Sequence, residues 1–414
     1  MSETELADLA ARDPAVTALT TVLDPARRLE ALGYESRVTR IRYKPGSSIV
    51  AALTTESATG ATHTRWIAAY SDPAKVAKTL SRAGRAGFDA HMVRGLTGVV
   101  TGETAADRLL CTPLARIREC APELFAQASV LRHNPHRRVV LRSVLAGEAV
   151  VLKVQATSRS RPGVDPDSVG RRRAYDSLEL AGIPVLRPMA LGGLNGLGGL
   201  GGLGGLGGVE TLPWWGDGDL ATIPLLDAAG RAGRDLARLH EVNLGAARLP
   251  SATDGAEDSA EDGAEDRAAV RSIGSILPAA RDRAAAVVAR LRHAATQRKR
   301  RLTIVHGDFS PDQVLVGGGE IRLIDFDRST LDSPERDLGC FLASAELLGR
   351  PELGHALLDG YAAAGGTADE RELHRFTATA FLQRSVDPFR TLSPHWARQT
   401  WQALECAESE AAQC

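Results

Sequence analysis

The 414-residue sequence has little lysine: Lys44, Lys75, Lys78, Lys153 and Lys299 are the whole set, so each one needs a reason. Cysteine is also sparse. Cys111, Cys120, Cys340, Cys406 and Cys414 are odd in number and scattered, without the paired CxxC spacing of zinc or dithiol sites, as expected of free thiols in a reducing compartment. No apolar run approaches the ~20 residues that span a bilayer. The N-terminal MSETELADLAARDPAV lacks the basic and apolar regions of a secretion signal. A cytoplasmic protein without a membrane partner is the expectation. A formal net charge of −1 gives no global attraction to nucleic acid, so any basic site has to be local. There is no GxxxxGK[ST] phosphate loop and no GxSxG nucleophile elbow, which disfavours P-loop enzymes and serine hydrolases.

The length suits two or three packed units. Residues 192–208 repeat a Gly-Gly-Leu triplet, a composition too costly in backbone entropy to order easily, and read as a flexible insertion. The repeat generates GxGxxG at Gly196–Gly201, but no strand-to-helix context makes it a dinucleotide fingerprint. Residues 254–266, DGAEDSAEDGAED, are acidic and nearly devoid of apolar side chains, and read as a disordered insertion. Between them the chain changes character. Residues 126–191 read as β-β-α-β, with a hairpin RRVVLRSVL and AVVLKVQA around Ala146-Gly147, then a helix, then an extended IPVLRPMAL. Beyond Gly216 helical patterns dominate, including one over 275–300. The domains expected are therefore an N-terminal module at 1–125, a β-rich unit at 126–213 and a helical unit at 214–414. Within the first, RYKPGSSIVAAL (42–53) echoes LRHNPHRRVVLR (131–142), each a basic, Pro-containing turn entering an apolar strand. The module is read either as a degenerate copy of the second unit or as an unrelated cap.

The densest chemistry lies in LTIVHGDFSPDQVLV, where His306, Asp308, Asp312 and Gln313 separate two strand-like runs. After the turn Gly317-Gly318-Gly319 the chain returns as EIRLIDFDRS, and hairpin geometry brings Asp325 and Asp327 back towards Asp308 and Gln313. Carboxylates and an amide oxygen without a nearby lysine make a hard-oxygen site, which suits Mg²⁺ better than Zn²⁺. Such a site fits phosphoryl transfer, with metal on a triphosphate and a base beside an acceptor hydroxyl. Lys153, inside AVVLKV, is then the cation available to the α- and β-phosphates; the alternative is an exposed face of an edge strand.

HGDFSPDQVLV, IRLIDFDRS and SPERDLGCFLA, preceded by LARLH (236–240), together resemble the catalytic segment of the aminoglycoside phosphotransferase and choline kinase-like family. The Gln-Val-Leu loop is similar to that of maltokinase-like members. The resemblance covers about residues 131–345 and implies an α+β, two-lobed protein kinase-like fold, a β-rich lobe then a helical one, preceded here by an extra N-terminal α/β module. It also implies a kinase that uses ATP, or GTP, with Mg²⁺ and a hydroxyl of a small molecule, a sugar or an aminoglycoside-like antibiotic. Carried over residue by residue, Asp308 becomes the base that orients the hydroxyl, with His306 and Asp337 bracing its loop. Asp325 becomes the principal metal ligand, Gln313 a second on a longer arm than the usual Asn, and Asp327 either a further ligand or a polar neighbour. Lys153 contacts phosphate, and adenine sits near Glu210 and Leu212 of a hinge at 210–213.

Two departures bear on activity. The helix after the lysine strand offers only Asp176 and Glu179 as an acid for Lys153, neither in clear register. The turn RHNPHRRVV has no glycine, so phosphate contact there rests on the Arg137 and Arg138 side chains. For the acceptor, FLQRSVDPFRTLSPHWARQTW offers Gln383, Arg384, Asp387, Arg390 and Trp396. A catalytically weak binding protein and a kinase for Ser or Thr in a peptide stand as alternatives.

Overall fold

A computed structural model describes residues 3–57, 60–156, 175–189, 208–242, 262–295 and 301–414. The glycine-rich insertion before Gly208 and the acidic residues 254–261 lie outside that set. The chain forms two compact units. Met1–Asp165, Pro188–Trp214 and Asp387–Ala397 make the first, so the N-terminal module and the second β unit belong together; Pro166–Arg187, Trp215–Val386 and Arg398–Cys414 make the second. No helix among the described residues is long and apolar enough to cross a membrane.

The first unit holds two antiparallel sheets. Strands β1 (Arg37–Lys44), β2 (Ser48–Glu56), β3 (Thr62–Tyr70), β4 (Ala90–Met92) and β5 (Val99–Glu103) lie in the order β1-β2-β3-β5-β4. Strands β6 (Ser129–Asn134), β7 (Arg138–Leu145), β8 (Glu148–Gln155) and β9 (Val209–Pro213) lie in the order β6-β7-β8-β9. Ala146 and Gly147, at φ 52° and 89°, form the two-residue β7–β8 turn, whose left-handed backbone matches strand twist.

The two sheets share a register. Ser47 N donates to Lys44 O at 3.0 Å, as Arg137 N does to Asn134 O at 3.0 Å. Ser71 N reaches Ser47 O at 3.1 Å, as Ala156 N reaches Arg137 O at 2.7 Å. Tyr70 N bonds Gly98 O, as Gln155 N bonds Gly208 O. In this equivalence β3 carries Ala68 where β8 carries Lys153, because Val50 pairs Ala68 and Val140 pairs Lys153. Only the second sheet has a cation there. Trp66, Val50 and Ala68 are buried on the first sheet, and Val139, Leu141, Leu152 and Val154 on the second.

In the second unit the helices Leu226–Glu241 and Pro351–Ala363 cross almost backbone to backbone. A Cβ on Gly233 would stand 2.0 Å from Leu357 O, and one on Gly360 would stand 1.9 Å from Gly230 O, so only glycine fits at these positions. That approach fixes the helix end bearing His240. Strands β10 (Gly218–Asp219), β12 (Val314–Gly317) and β13 (Glu320–Leu323) form one small sheet, and β11 (Thr303–Val305) with β14 (Thr330–Asp332) another. Leu236, Phe309, Val314, Leu323, Phe326 and Phe341 are buried in one apolar cluster around them.

Three local expectations are corrected. The extended segment from Ile183 makes one bridge, Val185 to Leu323, rather than a strand; Pro184 and Pro188 lack the N–H a ladder needs. The single helix expected over 275–300 is broken at Pro278, giving Asp262–Ile276 and Arg281–Ala295 on either side of it. Residues 262–266, read as disordered, open the first of these helices, where acidic residues favour the helix N-terminus. Asp266 is buried, and Arg292 donates to Gly263 O at 3.1 Å.

Candidate active site

The catalytic-segment residues meet where β11 ends. Asp337, in the first turn of helix Glu335–Leu347, is fully buried. It accepts from His306 N at 2.6 Å, from Gly307 N at 2.8 Å and from His240 Nε2 at 3.2 Å. His240 is held in turn by Tyr361 Oη at 2.9 Å. Burial alone would raise the Asp337 pKa; the hydrogen bond and charge of His240, with His306, outweigh it and hold the carboxyl below its ordinary value. Two consecutive backbone amides are thereby fixed on one carboxylate. The His306 ring donates from Nε2 to Ile324 O at 2.8 Å, tying the loop to the strand before Asp325, and lies between Phe309 and Phe326 at centroid distances of 5.4 and 4.6 Å.

Gly307 has φ 84°, and a Cβ there would fall 2.1 Å from Arg328 O. The tight passage turns Asp308 outward. Its side chain is 43% exposed, bonded through Oδ1 to Arg384 Nη2 at 3.2 Å and approached by Cys340 Sγ at 3.8 Å. Burial pushes the Cys340 thiol up to about 12 against the pull of Arg384, so it remains a neutral donor. Asp308 borders an open pocket whose lining includes Gln383 and Arg384.

The hairpin β12–β13 sets Gln313 opposite Ile324, the residue before Asp325, whose N donates to Gln313 O at 3.1 Å. Asp325 has φ 66° and ψ 51°, a left-handed conformation unfavourable for a residue with a Cβ. Such strain concentrates at functional sites. Asp327 follows in a short 3₁₀ turn and is half-buried. Among the described residues no three His, Cys, Asp or Glu side chains converge at metal-binding spacing. Mg²⁺ does not need a protein cage, since it keeps waters and takes phosphate oxygens. The Asp325 carboxylate and the Gln313 amide oxygen, brought close in the chain by the hairpin, are hard oxygen donors of the kind that mode uses.

In the first unit, Lys153 is 6% exposed in the middle of β8 and faces Glu210 of β9 in register, with Nζ 3.8 Å from Oε2. Glu210, the residue expected at the hinge, is thus an acid beside Lys153 among the described residues. Asp176 and Glu179 instead pair with Arg187, the latter at 3.0 Å. Leu212 pairs with Val151 further along β9. Arg137 is exposed at the β6–β7 turn, and Arg138 opens β7.

The glycine-free turn proves to be held from outside. His136 occupies the left-handed position at φ 61°, where the equivalent turn has Gly46 at 68°. Asp107, wholly buried, accepts from His136 N at 2.8 Å and contacts His136 Nδ1 at 2.9 Å and His133 Nε2 at 3.1 Å. Tyr70 Oη lies 3.1 Å from His136 Nε2, and Arg42 donates to His136 O at 2.9 Å. Burial opposes ionisation of Asp107, but the charge and hydrogen bonds of His136 and His133 hold its carboxyl well below the usual range. Sequence reasoning missed Asp107 and Tyr70; the His-x-x-His spacing in the turn was the available signal. Asp387, Arg390 and Trp396 do not join the pocket. Asp387 bonds Arg40 at 3.2 Å and Arg390 at 3.0 Å, and Phe389 packs on Trp396 with centroids 5.2 Å apart, all in the first unit.

The model of the phosphotransferase enzyme family matches residues 121–376, more than half of the chain. A spectinomycin phosphotransferase solved with ADP and spectinomycin has the same kinase-like fold, with a TM-score of 0.50 at 12% identity over 69% of this chain and 93% of that one. A choline/ethanolamine kinase family protein from Mesorhizobium loti aligns with a TM-score of 0.47 at 16% identity, over 72% and 94% of the two chains. An amicoumacin kinase solved with AMP-PNP, Ca²⁺ and Ami aligns with a TM-score of 0.49 at 15% identity, over 72% and 96%. No curated relative matches by sequence. The chain belongs to the phosphotransferase enzyme family.

Proposed function

We propose that the protein moves the γ-phosphoryl group of ATP to a hydroxyl of a small molecule, with Mg²⁺ and with GTP as the alternative donor. The observation that carries this reading is Asp308 at the edge of an open pocket, on a loop whose preceding amides are both bonded to Asp337. Asp308 orients the acceptor hydroxyl and takes its proton as the oxygen bonds to Pγ. The bond from Pγ to the β,γ-bridging oxygen breaks, leaving ADP and a phosphate monoester. Positioning accounts for much of the acceleration in this chemistry, which is what a loop tied at His306 and Gly307 supplies.

Asp325 and Gln313 would hold Mg²⁺, with Asp327 next in the chain. Held there, the ion would supply charge neutralisation for the phosphate oxygens. Lys153 would contact the α- and β-phosphates, its charge kept in place by Glu210, with Arg137 and Arg138 as side-chain donors at the turn. Adenine is assigned to the β9 segment from Glu210 to Leu212. The acceptor classes implied by the family resemblance, a sugar or an aminoglycoside-like antibiotic, set the size expected of the substrate.

Thermal unfolding with ATP and GTP, with and without Mg²⁺, tests the assignment. A ligand at a hundredfold excess over Kd stabilises by about 2.7 kcal/mol. The expected result is a Mg²⁺-dependent rise lost in Asp325→Ala; no rise with either nucleotide in a folded sample contradicts it.

A further inference from the structure

The charge of the acceptor pocket distinguishes among hydroxyl compounds of similar size. Four arginines, Arg328, Arg336, Arg375 and Arg384, are among its lining residues, with the acids Glu265, Asp266 and Asp308. Two of the arginines take their charge partners from outside the lining. Arg336 bonds Asp332 at 2.8 Å, and Arg375 bonds Glu372 at 2.9 Å while lying 4.0 Å over the Phe376 ring. Neither Asp332 nor Glu372 is among the lining residues. Of the three lining acids, Asp308 is the one assigned to the acceptor hydroxyl, and Glu265 is 4.0 Å from Arg328. With Arg336 and Arg375 already paired, Arg328 and Arg384 are the lining cations whose acids, Glu265 and Asp308, belong to the lining itself.

Arg384 is the member closest to the chemistry. Its Nη2 lies 3.2 Å from Asp308 Oδ1 and 3.0 Å from Cys340 Sγ. The side chain is 19% exposed, open to the pocket yet held on the helix Glu370–Arg384. A guanidinium in this position competes with an acceptor hydroxyl for the Asp308 carboxylate. A carboxylate or phosphate on the acceptor matches the planar fork better than one carboxylate oxygen does.

We propose that the acceptor is an anionic hydroxy compound whose carboxylate or phosphate pairs with Arg384 and draws it from Asp308, leaving Asp308 to receive the hydroxyl. Arg384 is thus a specificity-determining residue that couples recognition of the anion to exposure of the base. This rests on the phosphotransferase reading, which supplies ATP as donor and Asp308 as base.

The test uses the full chain and four hydroxyl probes, the neutral D-glucose, the anionic D-glucuronate and D-glucose 6-phosphate and the polycationic aminoglycoside kanamycin, with inorganic sulfate as the minimal anion. ADP release from Mg²⁺-ATP is measured with each, and binding of each is measured separately by calorimetry without nucleotide. The expected result is a preference of about tenfold or more for an anionic probe over glucose, in turnover or in binding, with kanamycin weakest. Glucuronate against glucose 6-phosphate identifies the anion. Arg384→Gln should bring the anionic-to-neutral ratio close to one, and Arg384→Lys should keep part of it, a change in selectivity that a merely structural residue would not produce. Preference for kanamycin or glucose, an unchanged ratio in Arg384→Gln, or no binding of any anion overturns the proposal. Failure of the phosphotransferase reading is seen separately, as absence of Mg²⁺-ATP binding, and leaves the anion measurement interpretable.

Discussion

Replacing Asp337 by Asn removes one charge and changes one acceptor into a donor at a fully buried site. The carboxylate accepts from two backbone amides and the His240 ring, all within 3.2 Å. Asn keeps a single acceptor oxygen, so at least one of the His306 and Gly307 amides faces an NH₂ or is left unpaired. Hydrogen bonds to a charged group contribute about 1.5–3 kcal/mol each, and breaking a buried charged network by removing one partner costs about 3–5 kcal/mol. Because Asp337 is fully buried, solvent screening does not reduce that figure. The predicted loss is about 3–5 kcal/mol in urea unfolding of the second unit's transition, as a lower midpoint with an unchanged slope. Activity should fall roughly a hundredfold, the order expected when a catalytic group is misplaced by about an ångström. A loss below about 1 kcal/mol with kcat intact would refute the claim that Asp337 fixes the loop. The sign with pH follows from the depressed pKa: this contribution is complete above the ordinary carboxylate pKa and disappears as pH falls through the lowered folded value.

Asp107→Asn should destabilise the first unit and raise the KM for ATP more than that for the acceptor, measured by unfolding and steady-state kinetics. The Asp107 contribution should likewise be present above the ordinary carboxylate range and lost on acidification below it, because the folded pKa is depressed. Gly307→Ala places a Cβ against Arg328 O in a left-handed backbone, and should cost about 2–5 kcal/mol from conformational strain plus overpacking; a neutral effect would mean that the loop relaxes freely. Lys153→Met should weaken ATP binding, read by calorimetry, while leaving the fold intact, since its hydrophobic stem still packs in β8.

Much of the helical unit was legible because its chemistry is local in sequence. His306, Asp308 and Gln313 lie within eight residues of one another, and the glycine turn at 317–319 brings Asp325 alongside through a hairpin whose geometry is predictable. Asp337 followed from the family pattern, although its three hydrogen bonds did not. The hidden parts depend on long-range packing. Asp107 lies 26 residues before His133, with no periodicity linking them. The acid near Lys153 was sought on the following helix, but the β8–β9 register supplies Glu210 after an insertion of low complexity. Pro184 and Pro188 looked compatible with an extended run, and their missing N–H groups limited it to one bridge. Asp387 and Trp396 shared a polar, aromatic segment with Arg384, yet the chain passes into the other compact unit just after Val386.

Phosphoryl transfer followed by ³¹P NMR tests the central claim most directly, with Mg²⁺-ATP and the neutral and anionic hydroxyl compounds named above. The account predicts a phosphomonoester resonance that grows with ADP, requires Mg²⁺, and falls by about 10²–10⁴ in rate in Asp308→Asn. A folded wild-type protein that binds Mg²⁺-ATP but forms neither product, or an Asp308→Asn variant that transfers phosphate at the wild-type rate, would contradict it.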